Sequence, residues 1–390
     1  MIMMSDKIFK RKQNLKEEPV KVEEKVEKEP MNETEEGYTK VYHLIVLDES
    51  GSMHCVTGRT ISGCNETIQT IRLMQDNNKD SQKHFVSIYL FDSGHSRYIV
   101  HNQPVNEVRD ITGKDYQPNS LTPLFDALGY TLNELKEIMA QPETLGYVTI
   151  ITDGEENDSR RYGIEDVRRL IDELKKQDVI FSFIGANIDA ASYASRLNIA
   201  NSLQFQQDDA GMREMWDCER RSKMRSGATM SFMKKFHREE FDACFSIREN
   251  TGNYYKEDVD KARVTPENIH QLNENEIYVF GSNADGNHST GAAKEAVLRF
   301  GARQGVAEGP QGQSYAIPEK GVTEEELYQA ICRFCNYAAM HPELTFYVTS
   351  IGCDANSYGT YTVAPMFGKA INLKNVKLPR EIWQFIVVNA

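Results

Sequence analysis

The sequence has no long hydrophobic run and no dense group of basic residues. No stretch approaches the roughly 18 consecutive apolar residues of a membrane span, and residues 1–12 have no apolar core of a secretory signal peptide. The net charge is −13, and no basic cluster in the folded part compensates for it, which excludes a nucleic-acid groove. We therefore expect a chain that binds neither membranes nor nucleic acids.

Cysteine usage indicates neither a disulfide framework nor a zinc site. The seven cysteines are odd in number and spread over 390 residues. The only close pair, Cys332 and Cys335, lies in an apolar-periodic helical segment without a second CxxC or paired histidines. Core packing is the favoured interpretation of this pair, and a redox pair is the alternative. Together with the missing signal peptide, this usage predicts a reducing, cytoplasmic location.

Length and patterning predict two folded domains behind a polar tail. Residues 1–38 are rich in Lys and Glu and almost free of aromatics, which predicts a disordered tail. Strand and helix patterns alternate over 39–205, a helical connector is predicted over 206–261, and a second, smaller α/β domain over 262–390. The predicted fold class is α/β, with a doubly wound, mainly parallel sheet in the first domain.

The most informative stretch is Leu44–Met53, an apolar run that ends in small oxygen-bearing side chains. The run predicts a strand buried on both faces. Gly51 lets the chain turn sharply, so the oxygens of Asp48, Ser50 and Ser52 can converge. Hard oxygen ligands of this kind suit Mg²⁺, Mn²⁺ or Ca²⁺ rather than zinc.

Two later segments offer further oxygens. Thr122 lies in a loop that opens a helix, and Asp153 ends a predicted strand. Taken singly, such pieces are typical of helix caps and turns. In this order, DxSxS, Thr-Pro and Thr-Asp-Gly resemble the von Willebrand factor A domain with its metal-ion-dependent adhesion site, over about residues 39–205. The resemblance implies that the cation is held by Asp48, Ser50, Ser52, Thr122 and Asp153.

The second predicted domain has two glycine-containing loops, each between a strand and a helix, an arrangement typical of phosphate binding. The elements follow one another as a strand, an Asn, a glycine loop and a helix, then Tyr-Ala-Ile-Pro, a long helix and a strand that ends in Ser-Ile-Gly-Cys. This order resembles the macrodomain. By that resemblance Asn283 would face the distal ribose of an ADP-ribose-type ligand, and Gly291 and the loop 350–359 would surround the diphosphate. Asn268 stands where the family usually places an adenine-contacting Asp. The candidate ligand residues are Asn268, Gly281, Asn283, Gly291, Ser350, Gly352, Asn356, Tyr358 and Gly359.

This second resemblance has departures. His288, Ser289 and Thr290 replace the family's glycine run, and Thr290 stands where hydrolytic members have an acidic residue. These departures favour binding of ADP-ribose, NAD or a related nucleotide over hydrolysis. The alternative is a Rossmann-like module of unknown ligand.

The sequence thus favours a non-enzymatic interaction protein. An Asp or Glu of a partner protein would complete the shell of the bound Mg²⁺, while the second domain binds a nucleotide. The alternative is an enzyme that hydrolyses ADP-ribosyl or phosphoryl bonds through the second domain. A third hypothesis is a two-part sensor, in which nucleotide binding alters the metal face.

Overall fold

The computed structural model describes residues 38–79, 81–186, 189–206, 208–236, 252–256, 259–353 and 357–386. The predicted tail up to residue 37 and the candidate ligand residue Asn356 lie outside the described residues. From Tyr38 onward the chain forms one compact unit, which contains two β-sheets.

The first sheet has six strands in the order β3-β2-β1-β4-β5-β6. They are β1 (Thr39–Asp48), β2 (Gln82–Phe91), β3 (Arg97–Pro104), β4 (Thr144–Thr152), β5 (Val179–Ala186) and β6 (Asn201–Phe205). All neighbours pair in parallel except β3, which pairs antiparallel with β2 at the edge. The predicted parallel sheet is therefore confirmed. β3 was not predicted, because its mostly exposed residues give no apolar alternation.

Helices cover both faces of this sheet. They are α1 (Thr57–Asn77), α2 (Leu124–Met139), α3 (Ile164–Lys175), α4 (Ala190–Arg196) and α5 (Asp209–Phe236). Leu44 of β1 faces the core shared with α2, α3 and α4, and its neighbour Ile45 faces the core shared with α1 and α5. This two-sided burial explains why β1 reads as a continuous apolar run.

The second sheet has the order β11-β10-β7-β9-β8. Its strands are β7 (Glu276–Asn283), β8 (Gly309–Gln311), β9 (Ser314–Lys320), β10 (Thr345–Val348) and β11 (Val376–Lys377). Around it lie α6 (Gly291–Arg299), α7 (Glu324–Met340), α8 (Thr360–Val363) and α9 (Arg380–Ile386). β7 is central and pairs in parallel with β10 and β9, whereas β8 is antiparallel to β9. Cys332 and Cys335 lie on the buried face of α7, in keeping with the predicted role of this pair in core packing.

α5 occupies the first part of the predicted connector and packs against helices of both sheets, α1 and α7. Near its start it lies so close to α1 that a Cβ atom at Gly63 would come within 2.0 Å of the Trp216 ring. Near its end the ring centroids of Phe232 and Tyr328 are 5.3 Å apart. Asp209–Phe236 therefore forms a packed helix, and the predicted domain boundaries at 205 and 262 stay predictions.

None of the helices in the described part of the chain combines the length and the hydrophobicity that a bilayer crossing requires.

Candidate functional site

Two neighbouring strands place the predicted metal-ligating carboxylates at one edge of the first sheet. Asp48 is the last residue of β1, and Asp153 follows the last residue of β4 directly. Because β1 and β4 are adjacent and parallel, their carboxyl ends meet at the same edge. Ligands of open α/β sheets bind outside this edge.

Asp48 is completely buried at the centre of this edge. Its carboxylate accepts hydrogen bonds from the backbone N–H of Ser50, at 2.7 Å, and from Thr152 Oγ1, at 2.6 Å. Burial raises the pKa of Asp48 to about 6, against the opposing effect of these hydrogen bonds, and the nearby Asp153 carboxylate adds to the rise. Among the described residues, no Lys, Arg or His side chain forms an ion pair with Asp48. A cation at this edge would stabilise its charged form.

The two serines link Asp48 to Asp153. Ser50 Oγ lies 3.1 Å from Ser52 Oγ, which in turn donates to Asp153 Oδ1 at 2.6 Å. The predicted cause of the turn between them is the conformational freedom of Gly51. In the structure Gly51 begins a 3-10 helix, Gly51–Val56, outside the left-handed region, and a Cβ there would make only ordinary contacts. The helical turn itself, rather than glycine, brings the hydroxyls together.

Thr122 reaches the same site from the loop before α2. Its backbone exchanges two hydrogen bonds with Asn157, one from Thr122 N to Asn157 Oδ1 at 2.8 Å and one from Asn157 N to Thr122 O at 3.2 Å. A Cβ at Gly154 would lie 3.3 Å from Thr122 Oγ1, so the hydroxyl rests against the backbone next to Asp153. The loop is also tied to the serine turn by a 3.1 Å hydrogen bond from Gly51 N to Ser120 O. The structure thus brings all five predicted metal-ligating side chains to one edge.

An ion pair between the buried Glu49 and the half-exposed Arg97 supports this arrangement and was not predicted. The Glu49 carboxylate is 2% exposed and binds the guanidinium of Arg97 at 2.6 and 3.3 Å. It also accepts the N–H of Gln117 at 2.6 Å, and Arg97 donates to the carbonyl of Asp115. Glu49 therefore holds the loop that leads to Thr122. The sequence gives no signal for this pair, because Arg97 lies on the unpredicted edge strand.

The donor set fits a hard divalent cation. It comprises two carboxylates and three hydroxyls, which are the oxygen ligands that Mg²⁺, Mn²⁺ and Ca²⁺ prefer. Four of the five residues, Asp48, Ser50, Thr122 and Asp153, are buried, and Ser52 is exposed at the surface of the site. Within the described ranges, no three His, Cys, Asp or Glu side chains form a cluster that could hold a metal ion, so this donor set depends on its hydroxyl oxygens as well as its two carboxylates.

In the second sheet, most candidate ligand residues lie at the carboxyl ends of β7 and β10. Gly281 and Asn283 belong to the end of β7, and the Asn283 amide donates to Asn287 O at 3.0 Å. Gly291 begins α6, whereas Asn268 is exposed in the segment before β7. His288, one of the departures from the macrodomain pattern, is buried against the Phe280 ring.

The remaining candidates of this group belong to the loop after β10. Gly359 N donates to Gly352 O at 3.0 Å. The Tyr358 hydroxyl donates to the Val322 carbonyl. Ser350 Oγ is bonded to Glu381 of α9 at 2.9 Å. These contacts engage the Tyr358 and Ser350 hydroxyls within the protein.

Comparison with known proteins gives one family match. The family model of the von Willebrand factor type A domain matches residues 44–213. No curated protein matches the sequence.

Several solved structures resemble part of the chain. A von Willebrand factor type A protein from Catenulispora acidiphila is 15% identical over 46% of this chain, with a TM-score of 0.33, and the chain spans only 41% of that protein. The manganese-loaded TRAP protein of Plasmodium vivax is 16% identical over 44% of this chain and 70% of its own, with a TM-score of 0.32. Proximal thread matrix protein 1 from the mussel byssus, with a zinc-occupied adhesion motif, is 11% identical over 65% of this chain and 55% of its own, with a TM-score of 0.33.

The family match covers the first sheet, its helices and the start of α5. The strand order, with a central β1 and one antiparallel edge strand, is a Rossmann-like α/β arrangement. Residues 44–213 therefore form a von Willebrand factor type A domain.

Proposed function

We propose that this protein binds a divalent cation, Mg²⁺ or else Mn²⁺ or Ca²⁺, at the carboxyl edge of the first sheet and captures a carboxylate of a partner protein through it. One observation supports the proposal above all others. Hydroxyl and carboxylate oxygens from three separate stretches, Asp48–Ser52, Thr122 and Asp153, converge at one sheet edge.

In this proposal each residue has a defined task. Ser50, Ser52 and Thr122 present hydroxyl oxygens to the cation, and Asp48 and Asp153 neutralise its charge directly or through water. The bound cation supplies an electrophilic position that an Asp or Glu side chain can occupy. The Thr152 hydroxyl orients the Asp48 carboxylate, since it donates to Oδ2 at 2.6 Å.

The rim of the site suggests what the partner presents beside its carboxylate. The Leu121 side chain is 50% exposed, although the backbone on either side of it is held by hydrogen bonds of Ser120 and Thr122. The backbone is held so that the Leu121 side chain is presented to solvent beside the site. We infer a partner with an Asp or Glu next to an apolar side chain, because burial of Leu121 would add to the affinity.

Binding is favoured over metal-assisted hydrolysis by the positions of the nearby glutamates. Glu49 is engaged by Arg97 and Gln117. Glu156 accepts the N–H groups of Phe125 and of two residues in its own loop, at 2.6 to 2.9 Å. Both carboxylates therefore have structural tasks, and neither is positioned to act as a general base.

Calorimetry with Mn²⁺ on the full chain tests the metal site. The double variant Ser52→Ala/Thr122→Ala should lose at least about tenfold in affinity for Mn²⁺, and Mg²⁺ should compete in the wild type. Ser81→Ala is the matched control, because Ser81 precedes β2 at the opposite edge of the sheet. Equal Mn²⁺ affinity in the double variant and the wild type would refute the site.

The partner is tested by capture in Mg²⁺ and release by EDTA. Proteins retained by the wild type in Mg²⁺ should elute with EDTA and should not be retained by the double variant. Retention that EDTA leaves unchanged would contradict a metal-bridged contact.

We propose a cytoplasmic setting, in keeping with the six free cysteines and no disulfide among the described residues.

For the second sheet we propose a ligand that contains a nucleoside, the part that ADP-ribose and NAD share. The supporting observation is that the loops after β7 and β10 lie side by side at a carboxyl sheet edge, with Gly286, Gly291, Gly352 and Gly359 at positive φ. Hydrolysis of ADP-ribosyl bonds is the alternative function of this site. Loss of ligand binding in Asn283→Ala, without turnover in the wild type, would favour a binding module.

A further inference from the structure

A bulge at the end of β9 directs one carboxylate to the middle of the second sheet's carboxyl edge. Ser282 of β7 is opposite Pro318 of β9, but the next residue, Asn283, is opposite Lys320. Glu319 is therefore the extra residue of a β-bulge, a feature that re-aims side chains next to functional sites.

The Glu319 side chain crosses the central strand. A Cβ atom at Gly281 of β7 would lie 2.3 Å from the Glu319 carboxyl carbon and 2.5 Å from both of its oxygens. A side chain at position 281 would displace the carboxylate from this position. On the far side of β7, Glu319 Oε2 accepts the backbone N–H of Gly352, in the loop after β10. One carboxylate thus joins three adjacent strand ends.

Gly352 N–H is a backbone donor of the kind that a phosphate group would use. Its φ of +66° presents this N–H from a glycine turn, an arrangement typical of anion-binding loops. Because a carboxylate already occupies the donor, an incoming diphosphate would lose that hydrogen bond and meet a like charge. Hydroxyl groups of a sugar, in contrast, can donate to a carboxylate, as ribose hydroxyls do to acidic residues in other α/β proteins.

We propose that Glu319 sets the ligand specificity of the second sheet, so that the site accepts the hydroxyl groups of a nucleoside or sugar and rejects diphosphates. This inference rests on the proposed ligand site of that sheet. It makes Glu319 a specificity-determining residue, Gly281 the position that admits it, and ADP-ribose a poor ligand of the wild-type protein.

Calorimetry on the full chain with adenosine and with ADP-ribose tests the inference. The wild type should bind adenosine at least about tenfold more tightly than ADP-ribose, a difference of about 1.4 kcal/mol. Glu319→Gln removes the charge in nearly the same shape, and Glu319→Ala exposes the Gly352 N–H. Both variants should gain at least about tenfold in affinity for ADP-ribose and lose affinity for adenosine.

Glu308→Gln is the matched control, because Glu308 pairs with Arg333 elsewhere on the same unit. It should bind both ligands like the wild type. If the wild type and both Glu319 variants bind ADP-ribose with equal affinity, the proposed role of Glu319 is overturned, but the ligand site itself is not. Absence of binding of either ligand to all four proteins would overturn the ligand site itself, and this inference with it.

Discussion

Acidification should destabilise the protein through two buried histidines in the first sheet. His43 of β1 and His84 of β2 are almost fully buried, and His43 Nε2 lies 3.0 Å from His84 Nδ1. His84 Nε2 lies 3.0 Å from Gln82 Oε1. With Gln82 Oε1 as acceptor, His84 donates through Nε2 and accepts from His43 through Nδ1, so the His84 ring is neutral in this chain of hydrogen bonds.

The charges around the pair reinforce this neutrality. Burial lowers the pKa of His43 well below its usual range, and Lys223 and His84 lower it further. Burial lowers the pKa of His84 to about 3. Lys223 itself is paired with Glu219 at 3.3 Å, and both side chains are buried. A proton on either imidazole would therefore be unfavourable in the folded protein.

The sign and size of the effect follow from proton linkage. Above about pH 6.5 both histidines are neutral in the folded and the unfolded chain, and their contribution to stability is complete. Below about pH 6.5 the unfolded chain binds protons at these positions that the folded chain does not, and for His84 this holds down to about pH 3. The free energy of unfolding then falls by about 1.4 kcal/mol per pH unit and histidine, which is about 2 kcal/mol per histidine at pH 5.

Urea unfolding in EDTA at pH 7 and pH 5 measures this loss. The double variant His43→Gln/His84→Gln should lose about 4 kcal/mol less stability than the wild type between the two pH values. Its carboxylates are those of the wild type, so the difference isolates the histidines. The exposed His54→Gln is the control and should keep the wild-type pH dependence. A double variant with the same acid loss as the wild type would refute the reasoning.

Three further outcomes test the proposals. Glu49→Gln should weaken Mn²⁺ binding about tenfold and lower the free energy of unfolding by about 1–3 kcal/mol, because the loop before Thr122 loses its buried anchor; unchanged calorimetry and urea midpoints would contradict this. Leu121→Ser should reduce capture of the Mg²⁺-dependent partner and leave Mn²⁺ affinity unchanged; equal capture would exclude the apolar contact. Lys235 of α5 pairs with Glu324 of α7 at 2.8 Å, which offers a path of coupling between the two sheets. If the sheets are coupled, saturating adenosine should shift the affinity for Mn²⁺, and Mn²⁺ should shift the affinity for adenosine by the same factor. Calorimetry without such a shift would remove the two-part sensor.

Much of the first domain could be predicted from the sequence because its signals are local. The apolar run before Asp48 predicts a strand that is buried on both faces, and β1 has this burial. Parallel strands with their carboxyl ends at one edge follow from the alternation of strand and helix patterns. The convergence of Asp48, Thr122 and Asp153 then follows from the fold rather than from any local contact.

The partners that hold these residues could not be predicted in this way. Glu49 meets Arg97 only because β3 turns back antiparallel beside β2, and β3 gives no periodic signal. Thr152 is visible in the Thr-Asp-Gly motif, but its bond to Asp48 depends on the neighbouring position of β1 and β4.

By itself, the sequence determined the alternation of β1, β2, β4 and β5 with the helices α1, α2 and α3, and the oxygen-rich chemistry at the strand ends, since both depend on residues close together in the chain. Only the tertiary structure decided which side chains are engaged at those ends. Glu319 reaches Gly352 through a one-residue bulge and across a glycine of the central strand. Such a contact depends on the register of three strands that are far apart in sequence, and no local pattern records it.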